Sequence, residues 1–266
     1  MEVFDKLPSL VDELVDSFLS VPMVGNLNVG FTQYKFWLAI ALALTCVLLF
    51  LFVKKQSASI APNGRFVNGM EFVITYTKDN SGKNVVGSTW RKHFPFIASV
   101  FFFVLINNLI GMIPGCKPGT VTIGTTAALS LVSFVYFIAV GVRKHGVVGY
   151  FKTFSHGLKG PMGVAIWLIE LLSTFLRLIT LAVRLICNQF AGHIVMGTFA
   201  ILTSLFATQI ITSVTPTTIA MAGASVLWQL ILLAIYGVEL FVAFVQAFVF
   251  ALLSAVYVQT AEEEVE

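Results

Sequence analysis

Charge is what this sequence has least of. Only 11% of its 266 residues are Asp, Glu, Lys or Arg and 58% are hydrophobic, against roughly 25% charged in a soluble domain. So little polar surface cannot cover a water-soluble fold, and lipid must stand in for water. The net charge of +3 is spread thinly, with no basic run interleaved with aromatics, which excludes a nucleic-acid surface. Cysteine is equally sparse. Cys46, Cys116 and Cys187 are far apart and form no CxxC or Cys/His ligand spacing, so they predict small buried hydrophobes and neither a disulfide framework nor a zinc site. No GxxxxGK[ST], G-x-S-x-G or H-E-x-x-H occurs, which leaves no nucleotide site and no hydrolase centre. The start carries Glu2, Asp5, Asp12, Glu13 and Asp16 where a signal peptide has basic residues, so no cleaved leader is expected. Its apolar residues, Leu7, Leu10, Val11, Leu14 and Val15 among them, recur at helical spacing. They predict an amphipathic helix at the membrane surface.

What the chain has instead is long apolar runs. At about 20 residues per crossing, spans are predicted near 36–53, 94–113 and 121–142, followed by two much longer segments, 162–208 and 217–258. The third span is expected to stop at Arg143-Lys144-His145, with a polar connection over 146–160. Turns are expected at Pro62-Asn63-Gly64, at Asp79-Asn80-Ser81-Gly82, at Pro114-Gly115 and near Pro216. The fold class predicted is an all-α integral membrane protein: an extracytoplasmic segment 1–35, then one membrane domain 36–266. Basic residues orient it. Loop 54–93 holds Lys54, Lys55, Arg65, Lys78, Lys83, Arg91 and Lys92, and loop 143–160 holds Arg143, Lys144, Lys152 and Lys159. The other side has only Lys6, Lys35 and Lys117. Five spans then put the N-terminus outside and the C-terminus inside, and the acidic tail Glu262, Glu263, Glu264 and Glu266 does not oppose this. Forty-odd helical residues would reach about 60 Å, twice a hydrocarbon core of ~30 Å. The last two segments must therefore form a strongly tilted or bent helical hairpin.

That hairpin carries the polar residues. The fourth segment holds Glu170, Arg177, Arg184, Asn188, Gln189 and His193, and the fifth holds Glu239 and Gln246. A charge at mid-membrane costs at least ~2.5–3.5 kcal/mol on insertion scales, so such residues point to function. Glu170, Arg177 and Arg184 are seven apart and share one face, which Asn188 and Ala191 continue, whereas His193 falls on the opposite side. Glu170 and Arg177 can also pair locally, and Arg177 can snorkel to the interface. Folding the hairpin about Thr215 places Arg184 and Gln246 at one depth, each 31 residues from the turn. His193 and Glu239, at 22 and 24 residues, lie nearer the outside, and Glu170 lies toward the inside. Histidine and carboxylates can exchange protons near neutral pH, but an arginine stays charged. Arg184 is thus placed to block a straight proton path and to hold a carboxylate ionised.

With those residues in view, the sequence resembles subunit a of F-type ATP synthases. Asn108-Leu-Ile-Gly-Met-Ile-Pro114 is similar to that family's N-L-x-G-x-x-P segment. Arg184-Leu-Ile-Cys-Asn188-Gln-Phe-Ala191-Gly192-His193, preceded by Glu170-Leu-Leu-Ser, is similar to its arginine signature, and Glu239 with Gln246-Ala-Phe-Val-Phe to its last helix. The resemblance implies a stator subunit that offers two offset half-channels to a rotating c-ring. Arg184 would face the ring's essential carboxylate, supported by Gln246 and Asn188. His193 and Glu239 would belong to the outer half-channel, Glu170 to the inner one, and Arg177 is left between a path role and a counter-ion role. It implies no cofactor and no enzyme activity of the chain alone, translocation of H+ with Na+ as the alternative, and as partners the c-ring, peripheral-stalk b subunits and the rest of the complex. A bacterial inner membrane is the expected location, an organellar energy-transducing membrane the alternative. The rival reading is a secondary transporter or channel with an intramembrane ion-pair network. It predicts internal repeats or broken helices, and neither is found.

Overall fold

A computed structural model describes residues 7–17, 22–24, 31–57, 64–113, 115–154, 161–212 and 216–262. Expectations for 1–6, Pro62-Asn63, Pro114, 155–160, Thr215 and the tail 263–266 lie outside the described residues. The chain is nearly all helical. Helix α1 (Leu7–Asp16) precedes a short antiparallel pair, β1 (Pro22–Val24) with β2 (Phe31–Thr32), and then α2 (Gln33–Ser57). After α3 (Arg65–Thr77) come a π-helical stretch (Lys78–Val86), a 3-10 turn (Gly87–Thr89) and α4 (Trp90–Gly111). Helices α5 (Ile123–Thr153), α6 (Pro161–Thr212) and α7 (Pro216–Glu262) complete the fold. Five stretches are long and apolar enough to cross a membrane: Gln33–Lys55, Arg65–Gly111, Ile123–Tyr150, Pro161–Thr208 and Gly223–Glu262.

Helices α6 and α7 have 52 and 47 residues, roughly 78 and 70 Å at 1.5 Å per residue. Each begins at a proline, where the missing N–H removes no helical bond. Within the hairpin α7 is the inner member. Its small residues Ala243, Ala247, Ala251 and Ala255 are at most 4% exposed and let backbones approach closely, the device by which helices associate in lipid. Against it pack Ile97, Phe101 and Val104 of α4, all fully buried. Ser133 of α5 meets Ser254 of α7 at 2.8 Å between hydroxyls. Helix α2 seats Ala41 against Ile106 and Ile110 of α4 and leaves Leu42, Val47, Phe50 and Val53 exposed, as a lipid-facing helix does.

Several local expectations are corrected. Asp79-Asn80-Ser81-Gly82 is not a turn but lies within the π-helical stretch. Tertiary packing overrides the turn composition: Ser81 and Gly82 are buried, Gly82 sits against the rings of Trp90 and Phe94, and Tyr76 just before it packs on Phe244 and Phe248 of α7, with centroids 6.2 and 5.2 Å away. The third span breaks directly after Arg143-Lys144-His145, as expected, but the connection that follows begins as helix. Gly146, with a φ of 72°, breaks the helix, and about two further helical turns run on to Thr153. Glycine takes that left-handed conformation without steric cost, so the chain turns and Tyr150 packs back against Gly141. Helix α1 forms as predicted but is seated on α6, with Leu14 against Gly197 and Leu7 against the Leu202–Phe206 cluster. The three cysteines are free, yet Cys46 and Cys187 are exposed and Cys116 is half-buried. A thiol beside lipid needs no burial in protein.

Candidate functional site

Burial along α6 is one-sided. Leu181, Leu185, Gln189, Gly192 and Met196 are buried, at helical spacing, whereas Thr180, Arg184, Cys187, Ala191 and Val195 are exposed. Every third or fourth residue repeats a face, so these are opposite stripes of one helix. Arg184 therefore stands on a surface that the chain's own helices leave open. Asn188 is half-buried at the border of that surface. Gln246 on α7 is only 8% exposed and lies inside the bundle.

The hairpin register is fixed at Gly192. A Cβ there would stand 2.5 Å from Oε2 of Glu239 and 2.7 Å from its Oε1, so the carboxylate occupies the space a side chain would fill. In an antiparallel pair each step along one helix is matched by a step back along the other. Moving eight residues from this contact brings Arg184 opposite Ala247, beside Gln246. The register is thus within one residue of that expected from the sequence.

The buried side of α6 faces the end of α4. A Cβ on Gly111 would lie 2.9 Å from Nε2 of Gln189 and 3.0 Å from Nε2 of His193. His193 and Glu239 accordingly flank the Gly192 backbone, both half-buried, one turned toward α4 and the other on α7. Toward the opposite, basic end of the hairpin, Arg177 Nη2 donates to Glu170 Oε1 at 3.2 Å, and its guanidinium lies 5.4 Å from the Tyr257 ring centre. Arg177 is therefore the partner of Glu170, and the seven-residue spacing along α6 is short enough for the two long side chains to meet. Arg184 is not part of that pair.

Two polar residues that the sequence presents without an assigned role, Asn108 and Gln189, also belong to this region. Asn108 of α4 is fully buried; its Nδ2 donates to the Ala243 carbonyl at 3.5 Å and its Oδ1 accepts from Thr120 Oγ1 at 3.4 Å. Gln189 is 7% exposed, and neutral amides among apolar neighbours give little signal beyond their polarity. At the basic end, Glu262 accepts from Thr89 Oγ1 and lies 3.1 Å from Nε2 of His93, whose Nδ1 lies 3.0 Å from Tyr136 Oη. Periodicity could not have joined His93 to Glu262, because they are 169 residues apart. Burial pushes the Cys116 thiol above its ordinary pKa, which favours its protonated form. Among the described residues no three His, Cys, Asp or Glu side chains converge on a metal-sized centre.

Comparison with known proteins places the chain as a whole. The family described as ATP synthase A chain matches residues 35–259. Proteins named ATP synthase subunit a are similar to nearly the whole chain. The one from Myxococcus xanthus is 33% identical over 89% of this chain and 74% of its own length. That of Chloroherpeton thalassium is 31% identical over 90% and 68%, and that of Bradyrhizobium diazoefficiens is 30% identical over 93% and 94%.

Proposed function

Because this chain belongs to the ATP synthase subunit a family, we propose that it is the stator subunit that passes protons to and from a rotating c-ring, with Arg184 dividing two half-paths. As a family member it is a multi-span membrane component of an F-type ATP synthase. The finer reading rests on one observation above all, the one-sided burial of α6. An arginine exposed on an apolar helix is costly in lipid and is stabilised by an opposing carboxylate. The open stripe Thr180, Arg184, Cys187, Ala191 and Val195 has small side chains on either side of the charge, which lets another helix approach and slide past.

In this mechanism protons enter from the outside along a wet path at His193 and Glu239, where the two side chains flank Gly192. They neutralise a rotor carboxylate, which can then face lipid. After nearly a full turn the carboxylate nears Arg184 and releases its proton to the inner path. Glu170 belongs to that inner path, and Arg177 holds it as its ion-pair partner. Arg184 cannot accept a proton, so none passes directly between the paths. The membrane potential contributes about 2.3 kcal/mol per charge per 100 mV. Peripheral-stalk b subunits would hold the chain against the torque, with basic loops inside a bacterial inner membrane.

Cys187 supplies a direct test because it is exposed on the Arg184 stripe. A short thiol cross-linker applied to the assembled complex should join it to a cysteine placed one turn from the rotor carboxylate. Cross-links from Cys187 to stalk helices alone, with none to the ring, would overturn the assignment of this face.

A further inference from the structure

His193 is nine residues along α6 from Arg184, about 13.5 Å of helix. The outer path must cross that distance inward before it can serve a carboxylate at the level of Arg184. Asn107 of α4 stands in that interval. Asn108 is bonded to the carbonyl of Ala243, and Glu239 lies against Gly192; the antiparallel register then sets Ala243, and with it Asn107 and Asn108, level with Asn188. Asn107 is four residues from Gly111 on the same side of α4, one turn inward of the point where Gln189 and His193 converge. It is fully buried. Neither its Oδ1 nor its Nδ2 meets a hydrogen-bond partner among the described residues, whereas its neighbour Asn108 has both amide atoms engaged. Buried carboxamides are nearly always satisfied, and where protein supplies no partner, water does.

We propose that Asn107 and Gln189 are positioning residues that hold a chain of hydrogen-bonded water between the His193–Glu239 pair and the level of Arg184. A carboxamide donates and accepts at once, so it orients water in line without itself gaining or losing a proton. Each proton handed inward along the water is replaced from the His193 side, and the amides end unchanged. Gln189 marks the start of the link at Gly111, and Asn107 carries it one turn deeper. This inference rests on the outer-path role proposed above for His193 and Glu239.

The test is gradient-driven proton conduction by the assembled complex in lipid vesicles, with assembly checked by co-purification of the ring. Asn107→Leu keeps the branched side-chain skeleton and removes both polar atoms, and Gln189→Leu removes both polar atoms of the amide on α6. Each should cut conduction to about a tenth or less, a change of one decade in rate. Asn107→Ser keeps a hydroxyl and leaves room for water, so it should restore most of the rate. A merely structural asparagine would not be rescued in this way, so Asn107→Ser conducting as slowly as Asn107→Leu would overturn the proposal. So would assembled Asn107→Leu and Gln189→Leu complexes that conduct like the parent. If Asn107→Leu fails to assemble, Gln189→Leu and Asn107→Ser decide. Glu239→Gln is run beside them: parental conduction by that variant defeats the outer-path reading itself, whereas a block there with normal Asn107→Leu and Gln189→Leu defeats only the water link.

Discussion

At Gly192 a missing side chain decides where a carboxylate sits. Glu239 fills the space that a Cβ would take, and the carboxylate is the free end of a flexible side chain. Gly192→Ala should therefore fold, since the helix gains roughly 0.5–1 kcal/mol from alanine and Glu239 can swing aside. The expected result is near-parental thermal stability with sharply reduced proton conduction, measured on the same purified complex. The Glu170–Arg177 pair makes a different prediction. Its side chains are 25% and 24% exposed, too covered for the near-zero coupling of many surface pairs. A double-mutant cycle of Glu170→Gln and Arg177→Ala should return a coupling of about 1–2 kcal/mol in thermal unfolding, whereas additive effects would remove the pairing. The same residues show where reading the sequence stopped. The shared face of Glu170, Arg177 and Arg184 followed from helical period, which offered the Glu170–Arg177 pair but left Arg177 between that pairing and a snorkelling or path role. The choice depended on rotamers and on the Tyr257 ring, brought in from α7.

Among the elements, the hairpin was the most legible. Two apolar segments without internal proline had to run unbroken, and counting from Thr215 gave their register to within one residue of that set by Glu239 at Gly192. The connections were less legible, because there local composition competes with packing from distant residues. The Asp79–Gly82 stretch carries every mark of a turn, yet its backbone stays helical where Tyr76, Trp90 and Phe94 pack around it. Helix α1 has the predicted amphipathic pattern, but no pattern within it could show that Leu14 would find Gly197. The far end of α7 carries a further prediction. Glu262 ties it to His93 of α4 and to Thr89 just before that helix, and hydrogen bonds to charged groups contribute about 1.5–3 kcal/mol each. Glu262→Ala should lower the thermal midpoint of the complex in detergent by several degrees while leaving ring association intact; an unchanged midpoint would mean that this end of α7 needs no anchor.

For the whole molecule, the uneven covering of its helices is the central fact. Helix α4 and the second half of α7, from Ala243 on, are packed on most sides, whereas α6 leaves Arg184 on an open stripe with the titratable pair on the buried side. Scarcity of charge made the membrane legible, and the price of an intramembrane charge singled out Arg184. What no sequence pattern supplied is which surface remains unfilled once five spans have packed, because that is a property of the assembled bundle. It is also why the ring has to be proposed from an open face together with the family. The decisive measurement is ATP-driven proton pumping alongside passive proton leak in vesicles holding the reconstituted complex with Arg184→Ala. A dividing charge predicts that coupled pumping is lost and that protons leak across the membrane where the two half-paths now join. Undiminished coupled pumping by Arg184→Ala would contradict the account.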